Sequence, residues 1–540
     1  MCYSTYNLVT QSWLKVKYND SSIKEISLKQ LFTDAAKIAT LANDTPQQDI
    51  AILRLLLAVM LTVYQRNDIH GKSYQLDRKS DELKHTWVDL YRTNDFSQVI
   101  AYLDKHQDEF DFFSKTKPFM QVIADDYNTF IKTKFKPIAG KTKEGNVVNS
   151  LINRTISQSK SSLITFAHTP ILDKQSLSLT EFIRWTITYQ YFAGTSDKVQ
   201  FKAEKGWNYG TLYAMTPIYF KDINLAKTLV LNLTLIPRSG NINEPKPIWE
   251  QDMHEYLTKL LDDPHRIPDN LPELFTMPSR MFYVVQNEKQ LQALVAKLPS
   301  LAITDNALWN LETMSPFRLN KKANCYKPIK IEEKEINDDL WQNLGLLFTK
   351  NSNSPKITQP YSLTFLQNLY NDDYLDDLPH FSMCATGIVD DGKSNSMMPI
   401  FFYHDSLDFD SNIVLSTNSM YRDRLLTDVE VIKDVTKDLI IFANYLNKSL
   451  VKKIKIDFYS QVNLIFRAWL ENLTVDCDLD NVEMQLFHQI YQIAKHILNK
   501  AVQSQINLNR LETNKKGYNL FTARNVCLHN IGRKLKINGE

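Results

Sequence analysis

Paired cysteines are what this chain most clearly lacks. Five cysteines are scattered over 540 residues, at 2, 325, 384, 477 and 527, and no two form a C-x-x-C. That spacing excludes a zinc ribbon and a disulfide framework, and it fits a reducing compartment. Glycine is scarce as well: 13 glycines and 19 prolines exclude a collagen-like or long flexible chain. The formal net charge is only +2, so the total names no partner and any electrostatic case rests on where charge is placed. The longest apolar run, residues 51–61, is interrupted by Arg54 and is too short to span a bilayer. The opening MCYSTYNLVTQSWLKV lacks a basic leader followed by an apolar core, so no signal peptide is expected. Together these absences predict a soluble, cytoplasmic protein with no membrane partner.

What is present is ordinary globular composition, 43% hydrophobic and 23% charged, in a chain long enough for two to four folded units. Residues 46–64 read as a buried helix with Pro46 in its first turn. Residues 3–32 read as short strands and turns, and 81–113 and 177–193 as helical. Apolar runs at 281–285, 344–348 and 397–403 predict strands. The last third changes character. Leu425, Val429, Ile432, Val435, Leu439, Ala443 and Leu446 recur at the step of one helix face, and three further stripes follow. These are Phe458, Val462, Ile465, Trp469 and Leu473; Val482, Leu486, Ile490, Ile493 and Ile497; and Leu520, Ala523, Cys527, Ile531 and Leu535. The expected fold class is α+β: a large mixed N-terminal domain over 1–405, then a C-terminal antiparallel four-helix bundle over 406–540.

One segment imitates a nucleotide-binding motif. Gly387-Ile-Val-Asp-Asp-Gly392-Lys393-Ser394 matches G-x-x-x-x-G-K-[ST]. A phosphate cradle needs bare backbone N–H groups opening a helix, whereas here Asp390 and Asp391 would repel the anion and a strand-like run with Pro399 follows. A β-hairpin turning at Asp391-Gly392 is the preferred reading; a nucleotide-dependent enzyme is the alternative. His404-Asp405 has no further ligands at metal-binding spacing, and no G-x-S-x-G or cysteine–histidine pair suggests a nucleophile. No catalytic residue, metal or cofactor is expected. Charge placement says more. Residues 132–160 carry Lys132, Lys134, Lys136, Lys141, Lys143, Arg154 and Lys160 against the single acid Glu144. This stretch is either a phosphate-contacting arm or a solubilising loop. Lys198, Lys202 and Lys205 form a smaller cluster, as do the lysines of 448–455. The basic residues from Arg510 to Lys536 read as a solvated helix face.

Several segments in order resemble the large subunit of the type I-E CRISPR surveillance complex, the CasA family of Cascade. They are Tyr6-Asn7-Leu8-Val9 with Trp13-Leu14-Lys15-Val16, the helix at 46–63, and Thr116-Lys117-Pro118-Phe119-Met120-Gln121. Then come 229–237 with Pro247-Ile248-Trp249, Pro278-Ser279-Arg280, and the terminal bundle. The resemblance implies a non-catalytic subunit whose partners are the other Cascade subunits, guide RNA, double-stranded target DNA carrying the short flanking motif (PAM), and a helicase-nuclease. Guide pairing would read the target while this chain reads PAM. The resemblance places a strand-separating wedge at Asp391, Gly392, Lys393 and Ser394. It places a loop against the guide-RNA end at Phe166, Ala167, His168 and Thr169. The family's glycine loop falls within 194–206, which here reads GTSDKVQFKAEKG with no glycine run. Lys289 and Arg280 are the candidates for the PAM-reading cation. Some relatives cluster cysteines in the middle region; only Cys325 lies there in this chain, so no zinc is expected. A protein-only scaffold is the remaining alternative.

Overall fold

The computed structural model describes residues 3–75, 79–132, 177–195, 199–203, 209–286, 291–303, 305–335, 338–348, 356–375, 381–392, 399–416, 418, 420–503 and 519–537. The chain divides into two compact units. One holds Met1–Asn337, Ser354–Asp376 and Met383–Asp405; the other holds Asp338–Asn353, Asp377–Ser382 and Ser406–Glu540. The second unit thus draws in two segments that precede the expected 405/406 boundary.

The first unit is organised around helix α1, Pro46–Tyr64. Thr45 caps it, its hydroxyl accepting from the Gln48 amide at 3.2 Å, and Pro46 occupies the first turn. Among the described residues it is the one helix long and apolar enough to cross a membrane, and nearly all of it is instead buried within the protein. Helices α2, Leu179–Phe192, and α3, Leu271–Thr276, pack on it. Arg54, which breaks the apolar run, lies fully buried against Glu312, with paired hydrogen bonds of 3.2 and 2.8 Å. Its guanidinium also sits 4.0 Å from the Phe275 ring centroid of α3. Two opposite charges with matched geometry are the condition for burying either.

Small sheets surround this helical core. Strands β1 (Leu14–Tyr18), β2 (Ile23–Ile26) and β3 (Ile38–Leu41) form one in the order β2-β1-β3. Arg184 of α2 ties it down, donating to the Trp13 carbonyl at 2.8 Å and to Glu25 at 2.7 Å. Strands β4 (Ile218–Lys221), β10 (Phe381–Asp390) and β11 (Pro399–Phe409) form a second, in the order β11-β10-β4. Strands β5 (Arg280–Gln286) and β6 (Leu291–Lys297) form an antiparallel hairpin. Strands β7 (Phe317–Asn320), β8 (Cys325–Pro328) and β9 (Ile357–Thr358) form the last sheet. The strand expected at 344–348 is a correction. Leu340–Leu346 is a 3₁₀ helix, and its buried Trp341 stacks 4.7 Å from Phe466 within the second unit.

The second unit carries four long helices: α4 (Met420–Leu446), α5 (Leu450–Glu471), α6 (Leu479–Gln503) and α7 (Leu520–Lys534). Each packs on its successor, and α7 returns to α4, closing a four-helix bundle. The connection between α4 and α5, residues 447–449, is short enough to force antiparallel neighbours. The stripe on α4 is buried as its periodicity predicts, Leu446 excepted. On α5 the buried row is Ile454, Phe458, Val462, Phe466 and Leu470, so Ile465 and Trp469 flank the core.

Candidate nucleic-acid interface

The segment that imitates a P-loop is strand, not cradle. Gly387 lies inside β10, and its carbonyl accepts from Gln47 Nε2 at 3.0 Å; the same amide donates to the Tyr403 carbonyl of β11 at 3.1 Å. A Cβ at Gly387 would meet Thr216 Oγ1 at 3.2 Å, so close packing explains this glycine. The next described element is strand β11, not a helix. Among the described residues of this segment no loop opens a helix, which a phosphate cradle needs.

Strand β10 ends at Asp390 and β11 begins at Pro399. Asp390 Oδ1 accepts from the Gly392 amide at 2.8 Å, and Gly392 takes φ +65° with open space around it. Left-handed backbone, rather than crowding, selects glycine there. The base is anchored by an ion pair between Lys330 and Asp390, with Lys330 Nζ 4.2 Å from the Tyr213 ring centroid. Burial lowers the Lys330 pKa, while its Asp390 partner opposes that shift. Asp391 and Gly392 thus stand at the described end of an anchored arm; Lys393 and Ser394 lie outside the described residues.

A second group forms where three chain segments meet. The segment at 199–202 bridges residue Ile131 on one side and Lys297 of β6 on the other. Lys132 Nζ donates to Gln200 Oε1 at 3.0 Å and is half-buried, whereas Lys202 is exposed. Phe130 stacks on Phe201 at 5.9 Å, fixing the interleaved aromatic in packing. Arg280 requires a correction: at 1% exposure it donates to the carbonyls of Ser279 and Gly194 and offers no surface for DNA. Gln190 brackets it, accepting from the amides of Ser279 and Arg280 at 3.0 Å each. The stretch from 194 onward is closed at its base by a bond from the Gly210 amide to the Ala193 carbonyl, 2.8 Å. A Cβ at Gly210 would fall 2.2 Å from the Tyr191 carbonyl oxygen, so only glycine fits this close approach.

Lys134, Lys136, Lys141, Lys143, Lys198, Lys205, Lys289, Phe166, Ala167, His168 and Thr169 lie outside the described residues. Lys330 and Lys297 were missed by sequence reasoning. Lys330 gives no signal, being sixty residues from Asp390 in the chain; Lys297 is findable only once 291–297 is read as the strand opposite 280–286. His404 bonds Thr386 Oγ1 at 2.9 Å, and burial lowers its pKa. Among the described residues no group of three or more His, Cys, Asp or Glu is placed to hold a metal ion.

The landmark segments of the sequence prove to be packing units. Phe119 stacks on Phe110 at 4.9 Å, and Trp249 closes on Phe110 at 5.2 Å. Both landmarks line a cleft of about 690 Å³, at whose edge His254 Nδ1 and Asp126 Oδ1 are 2.6 Å apart. Asn232, in a third landmark, pins β4 through both Phe220 backbone groups, at 2.9 and 2.7 Å.

Comparison with known proteins agrees with this architecture. The family model for CRISPR-associated protein Cse1 matches residues 7–497. The chain belongs to the Cse1 family, the large subunits of the Cascade surveillance complex. Its fold is similar to that of Cse1 from Thermobifida fusca, at TM-score 0.75 and 19% identity, covering 98% of this chain and 97% of that one. Cse1 from Acidimicrobium ferrooxidans is similar at TM-score 0.75 and 18% identity, covering 99% and 100%. A chain of a CRISPR RNA-guided surveillance complex matches at TM-score 0.67 and 12% identity, covering 99% and 100%. Comparison with curated protein sequences finds no match.

Proposed function

We propose that this subunit recognises PAM in double-stranded target DNA, begins strand separation there, and recruits the helicase-nuclease, without catalysing a reaction itself. It works in the cytoplasm, bound to the other Cascade subunits and to the guide-RNA end through residues 166–169. The observation that carries the reading is the β10–β11 arm in a member of this family: Gly392 is exposed at left-handed φ beyond an arm anchored by Lys330–Asp390 and Gln47. An anchored, narrow arm suits the task, because opening a base step requires a few kcal/mol of unstacking to be opposed by something stiff. The basic segments beginning at Lys132 and including Lys202 supply sequence-independent phosphate contacts.

The test compares Gly392→Val and the pair Lys393→Ala with Ser394→Ala in the reconstituted complex. A β-branched residue at φ +65° is strained by roughly 1–2 kcal/mol or more. Both variants are expected to assemble normally, to lose stable binding to intact PAM-containing duplex, and to bind a target already melted beside PAM much as the parent does. Parental binding of intact duplex by both variants refutes the wedge.

A further inference from the structure

The cleft lined by Phe119 and Trp249, about 690 Å³ in volume, is lopsided in charge. Glu109, Asp125, Asp126, Glu250 and Asp252 line it, against Lys117 and His254. Glu250 is already neutralised by Arg66 at 2.7 Å. The other four carboxylates outnumber Lys117 and His254 two to one. Two of the polar side chains are fixed in the wall. Asp126, in the first turn of the helix Ala124–Phe130, is only 7% exposed. His254 Nδ1 lies 2.6 Å from its Oδ1, while its Oδ2 has no hydrogen-bond partner among the described residues. Gln121 is 4% exposed, and its Nε2 donates to the Phe112 and Phe119 carbonyls at 2.9 and 3.3 Å. Two acceptors on that side fix the nitrogen there, so the amide oxygen is the free end. It too has no partner among the described residues. Acceptors held in a wall without donors are unfavourable, and both call for a ligand that donates.

We propose that this cleft binds a linear aliphatic polyamine, whose ammonium groups donate to Asp126 Oδ2 and Gln121 Oε1 and lie along the remaining carboxylates. An ammonium is all donor and no acceptor, which is what open acceptors in an acidic lining require. Half-buried Pro118, Ile123 and Met253 supply apolar surface in the same lining. Methylene spacers cover such surface while the charges they separate meet carboxylates. The volume falls within the range of small-molecule sites, about 300–1,000 Å³. Nucleic acid is the wrong occupant, because its phosphates would be repelled. A bare divalent cation needs several converging oxygens. Among the described residues no group of three or more His, Cys, Asp or Glu is placed to hold one.

The test is isothermal titration calorimetry of the full-length chain, free of nucleic acid, with spermidine. One saturable site per chain is expected. Asp126→Asn keeps an oxygen for His254 and removes the charge, so it should weaken binding about tenfold. Exposed Asp125→Asn should weaken it about twofold. Mg²⁺ in tenfold excess over spermidine, which brings charge but no donor, should leave the affinity within about threefold. Absence of a saturable site, or an Asp126→Asn variant that binds as the parent does, overturns the proposal. Mg²⁺ that abolishes binding overturns it as well, because charge alone is then being read. Trilysine that binds where spermidine does not overturns the polyamine and makes the cleft a dock for a basic peptide. Should Asp126→Asn fail to fold by circular dichroism, Glu109→Gln combined with Asp125→Asn takes its place. About fivefold weaker binding by that pair supports the site, and parental affinity overturns it.

Discussion

Arg54 and Glu312 lie at the centre of the first unit with no exposure at all, joined by two hydrogen bonds of 3.2 and 2.8 Å. Replacing Arg54 by Met removes the cation and leaves the Glu312 carboxylate in an interior that cannot solvate it. Breaking such a pair from one side costs about 3–5 kcal/mol, a large share of the roughly 5–15 kcal/mol that holds a typical protein folded. Glu312→Gln strands the guanidinium and should cost a similar amount. The double variant behaves differently. Met fills the volume of the stem and keeps its packing on Phe275, while Gln can still accept from the Met314 amide, which Glu312 Oε1 does now at 2.8 Å. The Arg54 Nε is buried without a hydrogen-bond partner among the described residues, so the native pair is itself incompletely satisfied. The double variant should therefore lie within about 2 kcal/mol of the parent. Urea unfolding followed by tryptophan fluorescence and circular dichroism gives the three values, provided the transitions of the two units are fitted separately. Simple addition of the two single costs in the double variant refutes the argument, because independent residues add and a coupled pair does not.

The bundle should respond to pH through Asp428, whose pKa is raised from 3.8 to about 7 by burial first and by Glu483 second, against Arg424 and Lys536. The folded state holds this proton more tightly than the unfolded state, so its stabilisation is complete below about pH 3.8 and is lost as pH rises to about 7. Asp428→Asn should gain on the parent by on the order of 2 kcal/mol between pH 5 and 8; a stability difference that does not vary with pH would remove this account. In the complex, Lys132, Lys134 and Lys136 changed together to Ala should weaken DNA binding similarly for all sequences. The salt slope should flatten by up to about 0.9 log unit for each phosphate no longer neutralised. An unchanged slope leaves residues 132–160 as a solubilising segment.

Much of the helical framework was legible because its signals are local. Thr45, Pro46 and an apolar run announce α1, and four stripes announce the bundle. Placement of a stripe to within one residue was not local. Ile465 and Trp469 fit the periodicity of α5 as well as Phe466 and Leu470 do, and the choice is made by Trp341, which stacks on Phe466 from more than a hundred residues away. The run 344–348 is as apolar as a strand, yet the same Trp341 lies in a 3₁₀ turn that packs it. The positive φ of Gly392 was readable from Asp391-Gly392. The anchor at Lys330 was not, since nothing in spacing joins residues sixty apart. Arg280 misled for a general reason: arginine is rarely fully buried, so sequence reading treats it as surface, while here it serves backbone carbonyls.

The bond from Gly210 to Ala193 has a consequence for where the chain tolerates change. The two ends meet at a junction that admits no side chain, and between them residues 199–202 are held by Ile131 and Lys297. Lengthening a closed segment is inexpensive, about 0.6 kcal/mol per doubling. Exposed Lys202 can therefore be exchanged at little cost to packing, whereas Val199 and Phe201, buried and paired with Lys297 and Ile131, cannot.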